Sequence, residues 1–366
     1  MVVSSAPGRA GIVGNPSDMY GGAVISVAIE RRAFVAIEPA DKLTLNALDV
    51  EVSQTVHTRD DLALAPYPAP DQLRDLDPGA IDSLRRLTYL NVFKAVLSEQ
   101  PWGRRTARLT CWSDIPPNAG LSSSSALVVA ALHATDRFLN IERDRHDAAE
   151  TARLIEFHRM GITCGYQDFY ATTFGGLSNM SFQGKERWLG PNLEPLAIVE
   201  DLAETTGTLP FVVANTGVRR ESSSPHRPLR ERWLRGEREV VDGMAALADI
   251  ARNARGLLGR RDWAGLARLM TDNQRIIRRL GGSGEAVEQL LRRVTTLGAS
   301  GAKLAGAGQG GTIIFVSREP EAFAEHVTQE HGVEAFAVTR ADRGVSSEDP
   351  DAWTAQLDRR RMKAEH

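Results

Sequence analysis

The stretch "PPNAGLSSSSALVVAALHA", from Pro116 to Ala134, constrains this chain more than any other. Its second half is an unbroken apolar and alanine-rich run and reads as a buried helix. Four serines stand at the entrance of that helix, where one would suffice as a cap. A strand entering through Pro116 and Pro117, and a helix leaving from the serines, would aim free backbone N–H groups at one point. Gly120 permits close approach of an anion there, and the helix dipole adds partial positive charge. The hydroxyls add donors, or an oxygen ligand for a hard cation such as Mg²⁺. The stretch is either a capped, serine-rich turn or a phosphate cradle. It is not a P-loop, because the G-x-x-x-x-G-K-[ST] spacing and its lysine are missing.

The chain of 366 residues has room for two substantial cores. Its apolar share of 42%, charged share of 25% and net charge of −3 fit a soluble globular protein with no general attraction for nucleic acid or anionic membrane. No apolar run approaches the roughly 18–20 residues of a membrane span. The start, "MVVSSAPGRAGIVG", lacks the basic flank and apolar centre of a secretory signal. Cys111 and Cys164 are too few for a disulfide framework and read as buried thiols. A cytoplasmic location follows as the expectation.

Strands are expected in the first fifty residues, including "GGAVISVAIERRAFVAIEPA" and "KLTLNALDVEV". His57–Gly79 carries acidic residues with Pro66, Pro68, Pro70 and Pro78, and reads as a loop or lid. A helix over 80–100, a strand at "RTARLTCWSDI" and a helix at "HDAAETARLIEFHRMG" follow, the last stopped by Gly161. Composition shifts near residue 205. Beyond it come the strand "TLPFVVANTG", a basic segment, amphipathic helices over Glu237–Leu258, Trp263–Leu280 and Gly284–Leu297, and a Gly-rich turn feeding "TIIFVS". A helix and a last strand complete this part. The charged segment 344–366 reads as a loose extension. The fold class is therefore α+β, with units over 1–205 and 206–343.

Four segments together resemble the GHMP kinases, the family of galactokinase, homoserine kinase, mevalonate kinase and phosphomevalonate kinase. The serine stretch is similar to that family's P-x-x-x-G-L-[GS]-S-S-A phosphate motif. "APGRAGIVGNPSDMYGG" from Ala6 is similar to its first, substrate motif, and "KLAGAGQGG" from Lys303 to its C-terminal glycine motif. "GYQDFYATTFGG" from Gly165 is similar to the loop bearing the catalytic aspartate in the sugar-kinase branch. The resemblance implies a two-domain GHMP kinase fold, with an N-terminal domain like ribosomal protein S5 domain 2 and a ferredoxin-like C-terminal domain. As G-x-G-x-G-G the glycine turn could also pass for a dinucleotide fingerprint, but it leads into a strand rather than a helix.

The resemblance further implies ATP and Mg²⁺ as cofactors and a small-molecule sugar as partner. ATP phosphates would lie along Pro117, Asn118, Ala119, Gly120, Leu121, Ser122, Ser123 and Ser124, with Ser125 packing or capping. Asp168 would be the catalytic carboxylate near the attacking hydroxyl, a role that needs a group able to orient it and take its proton. Arg9 would pair with Asp168. Glu156 would hold Mg²⁺ with Ser124, and Gly306, Gly308, Gly310 and Gly311 would support the phosphate loop and line the substrate cleft.

The first motif departs from the G-E-H-x-D-Y of galactokinases: Asn15 and Pro16 replace Glu and His, and Asp18 is kept for the sugar hydroxyls. "GNPSD" instead resembles the plant-type glucuronokinases, as do "HRPLRERWLRG" and "LARLMTDNQRIIRRLGG". A uronate requires a cation for its carboxylate, ideally arginine. Arg230 and His226 match that subgroup best, so the expected substrate contacts are Asn15, Asp18, His226, Arg230 and Gly308. The expected reaction is phosphorylation of glucuronate at its anomeric hydroxyl. The alternatives are another sugar or polyol (galactose, a heptose, inositol), or a catalytically silent sugar and ATP sensor.

Overall fold

β-Branched and apolar residues dominate the first fifty positions, and they fold as strands. β1 (Val2–Val13) and β2 (Ala23–Pro39) pair antiparallel along most of their length, Val2 opposite Ile37 and Val13 opposite Ile25. Their register shifts between Pro7 and Gly8, where Pro7 has no N–H to give the ladder. The computed structural model describes residues 1–66, 86, 88–116, 119–189, 193–202, 207–217, 226–306 and 311–364, without the side chains of 226, 227 and 358–364. The expectations placed on 67–79, Pro117, Asn118, Gly308, Gly310 and the side chain of His226 lie outside the described residues.

The strand-rich run "KLTLNALDVEV" folds as a hairpin. β3 (Leu43–Ala47) and β4 (Val52–Val56) flank a short 3-10 turn at Leu48–Val50 that ends on Glu51 in the left-handed region, at φ 52°. Asp49 and Glu51 supply the turn polarity that breaks the strand pattern. α1 (Asn91–Glu99) leads to β5 (Ala107–Ser113), which pairs antiparallel with β2 and parallel with β3. α2 (Ser123–Leu139) is the buried helix after the serines, and it packs across β1 and β2. α3 (Arg145–Leu154) runs into a π-helical turn at Ile155–Arg159, and α4 (Gln167–Phe174) follows. β6 (Leu177–Ser181) adds to β2, and β7 (Ile198–Asp201) adds to β6.

The change of sheet falls between Asp201 and Phe211. β8 (Phe211–Asn215) opens the second sheet, followed by α5 (His226–Leu234), α6 (Arg238–Gly259), α7 (Trp263–Arg279) and α8 (Glu285–Thr296). The amphipathic spacing of α6–α8 placed them to within a residue, because each has one wide apolar stripe to bury. β9 (Ser300–Leu304), β10 (Thr312–Val316), α9 (Pro320–His331) and β11 (Ala335–Ala337) complete an antiparallel sheet in the order β11-β8-β10-β9. Val212, Leu247, Val287, Phe315 and Val327 form a core between this sheet and its helices. A larger apolar cluster joins the two halves, with Ala10 and Val24 from the first sheet and Ile250, Met270 and Ile314 from the second part.

The segment after Gly344 is not a loose extension. β12 (Ser346–Ser347) pairs with β1 at Ser4 and Ser5, which gives the first sheet the order β12-β1-β2-β5-β3-β4. Arg32 ties it further, donating to the Gly344 carbonyl at 2.6 Å and the Arg343 carbonyl at 3.0 Å. α10 (Pro350–Ala364) then seats Trp353 against Val3, Phe34 and Trp112, covering an apolar face of the sheet. Charge dominates the composition of the segment, yet one tryptophan anchors it. Among the described residues no helix is long and apolar enough to cross a membrane. Both cysteines are buried free thiols.

Trp353→Ala removes the anchor and leaves a cavity against Trp112. A loss of about 3–5 kcal/mol of folding stability is expected, read from urea unfolding of the full chain; an unchanged midpoint would show that the anchor carries no stability.

Candidate functional site

β1 delivers Arg9 into the centre of the molecule, where its side chain is only 3% exposed. The guanidinium has three partners from distant parts of the chain. Its Nε donates to Asp168 Oδ1 at 2.7 Å, with Nη2 2.5 Å from the same oxygen. Its Nη1 donates to the carbonyl of Gly120 at 2.7 Å and to that of Ala305 at 3.3 Å. Backbone bonds reinforce the junction: Arg9 N–H to the Leu121 carbonyl at 3.0 Å, and Gly11 N–H to the Ala305 carbonyl at 2.9 Å. The first motif, the serine turn, the aspartate loop and the glycine turn thus meet at one residue. Asp168 lies in the first turn of α4, where the helix dipole favours a carboxylate, and keeps part of its surface open.

The serine turn has the features of an anion cradle. Gly120 and Ser122 both adopt left-handed backbone conformations, at φ 74° and 62°, and this wraps the chain tightly into α2. Ala119 and Leu121 point their side chains into the core, which leaves their backbone to form the turn. No side chain caps the N-terminus of α2, and the buried Ser122 hydroxyl has no hydrogen-bond partner. A Cβ on Gly306 would stand 2.5 Å from the Gly120 carbonyl, so the glycine turn presses directly on the serine turn.

Ser124 and Ser125 both face Glu156. Their hydroxyls donate to Glu156 Oε1 at 3.0 Å and Oε2 at 3.1 Å. Ser125, expected only to pack or cap, therefore belongs to this arrangement. The π-helical turn aims Glu156 inward, its five-residue bond running from Met160 N–H to the Ile155 carbonyl. Burial pushes the Glu156 carboxyl up to about 7, opposed by the Ser124 hydroxyl and helped by the negative charge of Asp168. Among the described residues Glu156 has no cationic partner.

Asp18 is buried beneath the aspartate loop. Its Oδ2 accepts from the backbone N–H of Tyr166 at 2.7 Å and of Gln167 at 3.0 Å, so it caps the helix that carries Asp168. Gly165 is required here, since a Cβ would stand 2.0 Å from Asp18 Oδ2. The other oxygen, Oδ1, is buried without a partner. Burial raises the Asp18 carboxyl above its usual range, against the Gln167 N–H and with the charge of Asp168.

Asn15 departs from the expectation of a substrate contact. Both ends of its amide are engaged by protein: Nδ2 donates to the Gly306 carbonyl at 3.0 Å, and Oδ1 accepts from Lys303 Nζ at 2.7 Å. Asn15 ties the first motif to the glycine turn. In the sequence Lys303 is only the first residue of "KLAGAGQGG". It is fully buried and donates to the carbonyls of Gly11 and Leu304 as well. Burial pushes its ammonium well below the ordinary lysine range, and the charge of Arg9 adds to the effect. A lysine between two apolar strand positions was the available signal.

Arg230 turns inward, but its Nη atoms donate to the carbonyls of Met19 and Glu186, and its plane lies 4.1 Å from the Trp188 ring. It braces the loop that follows Asp18.

Three family descriptions match the chain in order. They are a galactokinase galactose-binding signature over residues 1–39, the GHMP kinases N terminal domain over 88–176 and the GHMP kinases C terminal domain over 254–333. The chain is 30% identical over 328 residues to Glucuronokinase 1 of Arabidopsis thaliana, a match spanning 85% of this chain and 84% of that protein. It is 27% identical over 286 residues to a D-glycero-alpha-D-manno-heptose 7-phosphate kinase of Campylobacter jejuni, spanning 75% and 82%. A crystal structure of Lactococcus lactis galactokinase complexed with galactose has the same fold, with a TM-score of 0.69 at 16% identity over 95% of this chain and 94% of that one. With its motif loops converging on Arg9, the chain belongs to the GHMP kinase family and has the GHMP kinase fold.

Proposed function

We propose that this kinase transfers the terminal phosphoryl group of ATP to the anomeric hydroxyl of glucuronate. The observation that carries the proposal is the Arg9–Asp168 pair, set between the serine turn and the glycine turn. The choice of glucuronate rests on the relative named Glucuronokinase 1 and on the "GNPSD" motif. ATP phosphates would lie on the uncapped N-terminus of α2, with Gly120 at the closest approach and the unpartnered Ser122 hydroxyl as a donor.

Asp168 accepts the proton of the acceptor hydroxyl as its oxygen bonds to the terminal phosphorus and the bridging oxygen departs with ADP. Arg9 fixes the carboxylate in place and puts positive charge beside the reacting oxygens. Asp18, through its unpartnered Oδ1, holds a second sugar hydroxyl and also sets the start of α4, so acceptor and base share one frame. Glu156 fits a divalent cation: it is a buried carboxylate, bonded to hydroxyls alone among the described residues. Ser124 and Glu156 would hold Mg²⁺, which when bound neutralises charge on the phosphates.

Two outcomes follow. Asp168→Ala should lower kcat by roughly 10²–10⁴-fold while nucleotide affinity stays within a few-fold, measured by coupled ATP turnover and nucleotide titration. Near-normal turnover would remove Asp168 from the role of base. Glu156 keeps its proton up to about pH 7 in the folded chain, against 4.5 ordinarily. Between those values the folded state binds the extra proton, so this group's contribution to stability is complete below 4.5 and disappears as pH rises through 7. Glu156→Gln should therefore gain stability over the parent as pH rises from 5 to 8 in metal-free thermal melts. It should also flatten the rise in Mg²⁺ affinity across pH 7. A stability difference independent of pH would contradict the assignment.

A further inference from the structure

Beyond Asp18, a group of polar atoms is buried without partners. Asp18 Oδ1, the Tyr20 hydroxyl, and both Nε and Nη2 of Arg153 find no hydrogen bond, although Arg153 is only 2% exposed. Buried donors left unmatched cost roughly 1–3 kcal/mol each, more where charged. Such a cluster in a folded protein calls for an explanation, and a ligand is one. These atoms share one neighbourhood. The Arg153 guanidinium lies 3.9 Å from the ring of Tyr166, whose N–H is bonded to Asp18. It lies 5.2 Å from the ring of Trp188, and Arg230 lies 4.1 Å from the same ring.

Neither arginine has a carboxylate partner among the described residues. The buried carboxylates around Tyr166 pair with groups other than the two arginines: Glu150 with Lys185 at 2.9 Å and the Tyr170 hydroxyl, and Glu194 through Oε2 with the Tyr166 hydroxyl at 3.1 Å and Lys185 at 4.0 Å, its Oε1 left without a hydrogen bond. Two desolvated guanidinium groups beside one indole are costly without an anion. The backbone that presents the indole is strained, because Trp188 has φ 58°, a left-handed conformation unusual for a bulky residue. Strain of this kind collects at ligand clamps. Trp188 Nε1 also donates to the Met19 carbonyl at 3.2 Å, which links the clamp to the residue after Asp18.

We propose that Arg153 and Arg230, clamped on Trp188 beside Asp18 and Tyr20, form a subsite for an anionic substituent of the acceptor sugar, with Arg153 as the specificity-determining residue. The proposal rests on the sugar-kinase reading above. A guanidinium whose Nε and Nη2 are both unmatched offers the fork that a carboxylate or a phosphate ester takes with two parallel bonds. Arg230, already bonded to two carbonyls, adds charge rather than the main donors. Asp18 Oδ1 and the Tyr20 hydroxyl, both unpartnered, are then left for neutral hydroxyls of the same sugar.

The test is calorimetric binding of glucuronate, glucose 6-phosphate and glucose to the full chain with a non-hydrolysable ATP analogue, alongside turnover assays. The unmodified chain should bind one of the two acids roughly thirtyfold or more tightly than glucose; whichever acid wins identifies the substituent as carboxylate or phosphate. Arg153→Met should lower that acid-to-glucose ratio at least tenfold, and Arg153→Lys should restore part of it. Should Arg153→Met fail to fold, the ratio in Arg153→Lys decides, since lysine keeps the charge and loses the fork. Equal binding of glucose and both acids, or a ratio unchanged by the substitution, overturns the subsite. Preferential acid binding without phosphoryl transfer would sink the kinase reading and leave the subsite standing. Efficient phosphorylation of glucose with no preference for acid would do the reverse.

Discussion

A guanidinium taken out of water must satisfy its donors inside the protein, and Arg9 does so with Asp168, Gly120 and Ala305. Two of these partners are backbone carbonyls on separate turns, and the third is the candidate base. The cost of leaving a buried charge unmatched is large. Each partner is therefore held in place by the same requirement that holds the arginine. The first sheet supplies the arginine, the helix on its face supplies the serine turn, and the second sheet supplies the glycine turn between β9 and β10. The two halves of the chain are locked together at the point where the chemistry is proposed.

Around this junction the charged groups divide into two kinds. Lys303 is saturated by oxygens of Gly11, Asn15 and Leu304, and it acts as a fastener between the first motif and the glycine turn. Asp18, Glu156 and Arg153 are different, because each is buried with bonding capacity left over or with no opposite charge beside it. A folded chain tolerates such groups when a ligand completes them. Their charges are felt at the buried Cys164, whose thiol burial pushes far up, with the charge of Glu156 adding to the effect.

Much of this was legible in the sequence where physics is local. The serine-to-helix transition, the amphipathic helices of the second half and the strands of the first fifty residues follow from nearest-neighbour patterns. The reading went astray where one residue outweighed its surroundings. Trp353, in a charged tail, anchors α10 to the first sheet. Glu51 adopts a left-handed conformation and turns a strand-rich run into a hairpin. Asn15 stands in a substrate motif, yet both ends of its amide are engaged within the protein. Ser125, at a position expected to pack or cap, shares Glu156 with Ser124.

The amino-acid sequence determined the elements and the chemical types at the site: a glycine and serine turn before a helix, an aspartate opening another helix, and an arginine in the first strand. Those depend on backbone freedom, capping and periodicity, all fixed within a few residues of the chain. Tertiary structure alone decided which side chains are completed by protein and which are left with unmatched bonds. That outcome depends on burial and on partners more than a hundred residues away: Arg9 with Asp168 and Ala305, Asp18 with Tyr166, Lys303 with Asn15. Desolvation is a property of the assembled interior, and no local pattern carries it.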